Sequence, residues 1–279
     1  MKVKSVIITA DDLGLLPEIN DAVMAGYDAG IITSASLRVT GKESHSATVS
    51  ATMRPGLGVG LHLVLCDGQA VLSHRHIPNL VDTSGYFVDR PLEAFWIYRK
   101  RGGLHDELKA EIRAQIEKFL AGGLFLSHIS SHYNLHLHPT VLSILKELAV
   151  DYPISAIRKP CGSLTSSFQN YATPHWQRIV EHSLLRPGLT WGRVRSGIFL
   201  GVDRVARLSS ERPVTEHAVA RRIAAVRRGI TEFVCHPGSL RPEYDGEAET
   251  AVLTSVTVRR ALLASGLDLI SYRDVAEGM

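Results

Sequence analysis

Short β-branched runs alternate with helically spaced apolar residues through almost the whole chain, and this alternation restricts the fold class before anything else does. Residues 5–10 read as a strand; Pro17, Ile19, Ala22, Val23 and Tyr27 follow at helical spacing, and Gly30 ends that helix. Further strands are expected over 31–39 and 58–65, with a polar segment over 41–50 between them. Leu108, Ile112, Ile116, Phe119 and Leu120 mark an amphipathic helix closed by Gly122-Gly123, ahead of a strand over 124–129. Pro139 opens a helix carrying Val141, Leu142, Leu145 and Leu148, and residues 154–157 read as strand. A helix over 215–228, a strand over 230–235, a helix over 251–264 and a last strand over 267–271 complete the series. Residues 162–213, with Trp176 and Trp191, are mixed and take no assignment. Repeated βα units build a parallel sheet covered by helices. Without a Gly-x-Gly-x-x-Gly turn, the expected architecture is α/β, a distorted (β/α) barrel of about seven parallel strands rather than a Rossmann sheet.

The length of 279 residues fits one such unit over 1–279, since α/β barrels reach about 250 residues as a single domain. Residues 66–101, rich in turn residues and aromatics, are too long for an ordinary connection and read as a functional insertion. Lysine and arginine total 31 against 28 acidic residues, a net charge of +3, which excludes a nucleic-acid binder driven by bulk charge. The local clusters Arg99-Lys100-Arg101, Arg221-Arg222 and Arg227-Arg228 read as solvated helix faces. Cys66, Cys161 and Cys235 are odd in number and far apart, so neither a disulfide framework nor a cysteine zinc motif is expected, and the setting is read as cytoplasmic. The apolar run Val6-Ile7-Ile8 is too short for a secretion signal, and no transmembrane segment is expected.

In a barrel of this kind the chemistry sits on the loops that follow the strands. Asp11 and Asp12 follow the first strand, His62 lies in the third, His132 follows Ile129, and His236 follows Cys235. Adjacent side chains on an extended strand face opposite ways, so the two aspartates are expected to take different tasks, one coordinating and the other receiving a proton. His128, His132, His136 and His138 place four of the thirteen histidines in one short segment. His132 and His136 share a face on a helix or on a strand, which favours metal binding there, while His128 and His138 individually read as structural. His62, a polar ring in an apolar strand, needs a partner if buried. His236, opening the turn His236-Pro237-Gly238, suits general acid work. The run Gly56-Leu57-Gly58-Val59-Gly60 lacks the Gly-Lys-Ser/Thr ending of a phosphate loop and leads into a strand.

Taken in order, these motifs resemble the YdjC-like carbohydrate deacetylases: Ile8-Thr9-Ala10-Asp11-Asp12-Leu13-Gly14, Gly30-Ile31-Ile32-Thr33-Ser34-Ala35-Ser36-Leu37, Gly60-Leu61-His62, the histidine-rich segment with Pro139, and Cys235-His236-Pro237. Val59-Gly60-Leu61-His62-Leu63-Val64-Leu65, Ile77-Pro78-Asn79-Leu80-Val81-Asp82 and His136-Leu137-His138-Pro139-Thr140-Val141 look most like the branch associated with hopanoid biosynthesis. The resemblance implies a fold related to polysaccharide deacetylases and one divalent metal, zinc or magnesium, held by Asp12, His62 and His132. It further implies Asp11 as general base, His236 as general acid, and removal of acetyl from an N-acetylglucosaminyl group on a hopanoid lipid. Transient contact with the inner membrane face would follow. Ser130 departs from the pattern, standing where many relatives carry Asp or Asn, as do Tyr133 and Asn134 where they carry more histidine; these positions bear on ligand orientation. Phe87, Phe95, Trp96 and Tyr98 of the insertion are read with equal weight as lipid contacts or as packing. The rival functions are deacetylation of a soluble chito-oligosaccharide, a metal-dependent phosphoesterase, and a non-catalytic sugar or lipid carrier.

Overall fold

The computed structural model describes residues 4–99, 104–158, 199–208 and 212–278. Among them run seven parallel strands, as the βα alternation requires: β1 (Lys4–Leu13), β2 (Ser34–Leu37), β3 (Gly58–Leu63), β4 (Ile129–Ser131), β5 (Arg204–Arg207), β6 (Gly229–Cys235) and β7 (Asp268–Leu269). Their order is β4-β3-β2-β1-β6-β5, with β7 also beside β1. Beyond β4, the isolated parallel bridges Ile129–Ile157 and Ala156–Leu200 carry the pairing on toward the segment that leads into β5. The helices are α1 (Pro17–Asp28), α2 (Ser44–Thr52), α3 (Pro91–Arg99), α4 (Leu104–Ala121), α5 (Pro139–Leu148), α6 (Glu216–Ala224), α7 (Gly246–Leu253), α8 (Val256–Ala264) and α9 (Tyr272–Ala276). No helix of the described residues is long and apolar enough to cross a membrane.

The period-2 alternation of each strand separates two environments. Val6, Ile8 and Ala10 of β1, Ala35 and Leu37 of β2, and Val59, Leu61 and Leu63 of β3 join the large apolar core that includes Ile19 and Val23 of α1. The alternate positions carry polar side chains that are equally buried: Thr9 and Asp11, Ser34 and Ser36, His62, Ser130 and Glu232. Burying that row is costly unless its members bond one another, and the polar interior of the sheet is where the site forms.

Several expectations shift. β1 runs past residue 10 to Leu13. The polar segment over 41–50 contains α2, which buries only Ala47 and Ala51 and so offers no apolar stripe to read. The strand expected over 124–129 is regular only from Ile129, although Ser127 N–H already donates to Val59 O. Residues 154–157 make bridges rather than a strand. The helix expected over 251–264 is two, because Ser255 caps α8 by accepting from Val258 N–H. β5 falls inside 162–213; most of that stretch, with Trp176 and Trp191, lies outside the described residues, as do Cys161, Lys100 and Arg101.

The insertion folds as antiparallel bridges, Gln69–Tyr86 and Val81–Phe87, followed by α3. It is latched to α4 by the buried Glu111 carboxylate, which accepts from Val71 N–H and Leu72 N–H, each at 2.9 Å. Gln115 beside it bonds both Val64 N–H and Val64 O. Phe87, Phe95 and Tyr98 are buried and belong to packing, whereas Trp96 is 54% exposed.

Candidate metal and catalytic site

The two aspartates do not face opposite ways. Asp12 takes a left-handed conformation, φ 63°, and the β1–β2 register shifts between Ala10 and Leu13. This bulge puts one extra residue on β1, so Ala10 and Leu13 both face the apolar core and Asp11 and Asp12 both reach the polar side. Asp11 Oδ1 lies 4.0 Å from His62 Nδ1, and Asp12 Oδ1 lies 3.7 Å from His62 Nε2.

Two arginines distinguish the carboxylates. Arg158 donates Nη1–H to Asp11 Oδ2 at 2.6 Å and Nη2–H to Oδ1 at 2.9 Å, a bidentate fork. Its Nε–H donates to Glu232 at 2.9 Å, and Glu232 accepts in turn from the Tyr272 hydroxyl at 2.6 Å. Arg38 donates to Asp12 Oδ1 at 3.1 Å and to the Asp67 carbonyl at 3.2 Å. Burial alone would raise both acids, but Arg158 beside Asp11 and Arg38 beside Asp12 hold them well below the usual carboxylate range.

Asp12, His62 and His132 converge: a ligand atom from each lies within 4.8 Å of the others, and all three residues are buried. His62 projects from β3, with its Nδ1 2.9 Å from Ser130 Oγ on the paired strand β4. His132 opens the 3-10 segment His132–Leu137, with Tyr133 and Asn134 both at φ 55°. The Nε2 atoms of His62 and His132 are buried and make no hydrogen bond. Burial lowers both histidines, His62 to about 4, which favours the neutral ring that a metal ligand needs. Two neutral imidazoles whose buried Nε2 atoms make no hydrogen bond, with one ionised carboxylate, are a donor set that fits a divalent cation.

Asp67 lines the rim. Its Oδ2 accepts from Arg241 at 3.0 Å and the Tyr133 hydroxyl at 3.2 Å, and lies 3.5 Å from His132 Nε2. Burial opposes its ionisation, but His132 and Arg241 bring it down to about 2. His236, half-buried at the end of β6, lies within electrostatic reach of both Asp11 and Asp12. Burial lowers its ring to about 3, and its Nδ1 makes no hydrogen bond.

The other histidines of the segment 128–138 are structural. His136 does not join His132 as the spacing suggested: the φ values at Tyr133 and Asn134 break the regular turn, and its ring is occupied by Ser131 Oγ at 2.7 Å and Arg158 O at 2.9 Å. His128 bonds Ser127 and Ser36 and stacks on Tyr272, and His138 caps α5 by accepting from Thr140 N–H, as their structural reading requires. Arg38, Arg158, Asp67, Glu232, Arg241 and Tyr244 were not singled out from sequence; each sits alone in a loop or strand with no motif around it.

A family model described as YdjC-like protein matches residues 5–264. The carbohydrate deacetylase of Clostridium beijerinckii is 32% identical over 281 residues, covering 96% of this chain and 99% of that protein. The carbohydrate deacetylase of Brevibacillus brevis is 36% identical over 154 residues, and this alignment spans 53% of the chain and 56% of the relative. Among solved structures, one from Enterococcus faecalis V583, whose name refers to cellobiose-phosphate cleavage, superimposes with a TM-score of 0.74 at 23% identity, covering 98% of both chains.

Proposed function

Because this chain belongs to the YdjC-like family, we propose that it is a metal-dependent carbohydrate deacetylase, a hydrolase that frees the amine of an N-acetylglucosaminyl group. The observation that carries this reading is the convergence of Asp12, His62 and His132 with two orphaned imidazole nitrogens, beside a second carboxylate already ionised. In the proposal Asp12, His62 and His132 hold a divalent cation, zinc or magnesium, which when bound supplies Lewis acidity to the acetamide carbonyl. Asp11, kept anionic and fixed in direction by Arg158, receives the proton of the attacking water at a carboxylate oxygen. His236 takes up the proton that Asp11 received from the water and delivers it to the departing amine nitrogen, so that both residues return to their starting states. Its lowered affinity makes it neutral at rest and a strong donor once protonated. Water and the amide thereby become acetate and a free amino sugar.

The sequence is taken as one domain over 1–279 with the insertion at 66–101. A hopanoid-linked sugar is proposed as substrate from the stretches 59–65, 77–82 and 136–141, and Trp96, exposed on the insertion as Tyr86 also is, is proposed to meet its apolar part. Cytoplasmic action at the inner membrane face goes with that substrate.

The test is mass spectrometry of chelated protein with an N-acetylglucosaminyl hopanoid and with diacetylchitobiose, each with and without added zinc or magnesium. Metal-dependent acetate release is expected, greater from the lipid. Preference for the chitobiose replaces the lipid by a soluble oligosaccharide, and absence of acetate from both refutes the deacetylase. Asp11→Asn is expected to lower kcat by about 10²–10⁴-fold with metal binding retained; acetate release at the wild-type rate would remove Asp11 from the role of base.

A further inference from the structure

Most histidines around this site have their rings fixed by a hydrogen bond. His62 is held by Ser130, His128 by Ser36 and Ser127, His136 by Ser131 and the Arg158 carbonyl, and His138 by Thr140 N–H. The His236 ring makes no hydrogen bond among the described residues; only its backbone N–H is pinned, to Glu249 Oε2 at 2.5 Å. A ring left to its terminal torsion sits in a broad, twofold well, whereas a proton donor must point one nitrogen at one atom.

An aromatic plate lies against this ring. Tyr244 stacks on His236 with ring centres 3.7 Å apart and planes 8° from parallel. The Arg207 guanidinium, from the end of β5, lies 5.0 Å from the centre of the Tyr244 ring. The loop that brings Tyr244 back over His236 depends on two glycines. Gly238 N–H donates to Gly246 O at 3.0 Å, a Cβ on Gly246 would lie 2.3 Å from Ser239 N, and one on Gly238 would lie 2.4 Å from Glu18 O. Gly238 also takes φ +68°, a conformation that favours glycine. The glycine after His236-Pro237 thus folds the chain tightly enough to return a tyrosine to the histidine.

We propose that Tyr244 is the positioning residue of His236: stacked face to face on the imidazole, it fixes the plane in which that ring presents its nitrogens to the site. What His236 does there rests on the deacetylase reading; that Tyr244 orients it does not. Tyr244→Phe keeps the plate and Tyr244→Leu removes it. With an acetylated amino sugar, Y244F is expected to retain kcat within about twofold. Y244L is expected to lose about tenfold or more of kcat with KM within about twofold, a share of the 10²–10⁴ that a placed acid contributes. In the metal-free protein the His236 ring protons, assigned by their absence in His236→Gln, are expected to show an upfield ring-current shift by NMR in wild type and Y244F that Y244L lacks.

An unchanged kcat in Y244L overturns the proposal, and so does an equal loss in Y244F, which would assign the effect to the hydroxyl. A wild-type protein that releases no acetate overturns the deacetylase reading instead. The NMR arm then decides the positioning, since an unshifted His236 resonance in the wild type overturns it whether or not Y244L folds.

Discussion

At Asp12 the backbone turns left-handed, and that one inversion lets consecutive carboxylates reach the same polar interior, where Arg158 takes one and Arg38 the other. Ser130 completes the arrangement from the neighbouring strand. Its hydroxyl, 2.9 Å from His62 Nδ1, can hold the proton on that nitrogen and leave Nε2 bare for a cation. Ser130→Ala is therefore expected to weaken zinc binding by about 10-fold, the lower end of what loss of such a partner costs; calorimetric titration checks it, and unchanged affinity would show that the serine merely fills space. Asp12, His62 and His132 were legible in the sequence because each ends or follows a strand in a recognisable motif. Arg158 and Arg38 were not, since an arginine's partner depends on folding: Asp11 and Arg158 meet across 147 positions. His136 misled because helical spacing carries no information about a chain that kinks at the next two residues.

Among the elements, β3 shows how tightly the interior is built. A Cβ on Gly60 would lie 2.3 Å from His128 Nδ1 and 2.5 Å from the His128 carbonyl oxygen, so β3 and the chain entering β4 approach as closely as they do only because residue 60 has no side chain. Gly60→Ala is expected to destabilise the protein by about 1–3 kcal/mol through overpacking, read as a lower midpoint in urea, and to displace His62 two residues on. The strands and the long amphipathic helices followed from periodicity, as did the parallel sheet. α2 escaped it because alanine, serine and threonine form a helix without an apolar stripe, and the division of α7 from α8 turned on a single capping serine. β5 was hidden in a stretch where Arg204-Val205-Ala206-Arg207 shows only two apolar residues.

Over the whole molecule, burial leaves several histidines uncharged. His136 and His236 are lowered to about 3 and His138 to about 4, from an ordinary value of 6.5. Between those values the unfolded chain binds protons that the folded one refuses, so their contribution is complete above about pH 6.5 and is lost as the pH falls toward 3. The metal-free protein is expected to melt at progressively lower temperature from pH 7 to pH 5 in scanning calorimetry; a flat profile would mean that these rings titrate normally. The line of contacts from Asp11 through Arg158 and Glu232 to the Tyr272 hydroxyl has a different kind of consequence. It joins the first strand to a helix made some 260 residues later, so a nascent chain on the ribosome has no fully braced Asp11 until Tyr272 has emerged. If Asp11 is the base proposed above, that role must wait until the helix carrying Tyr272 has folded against Glu232.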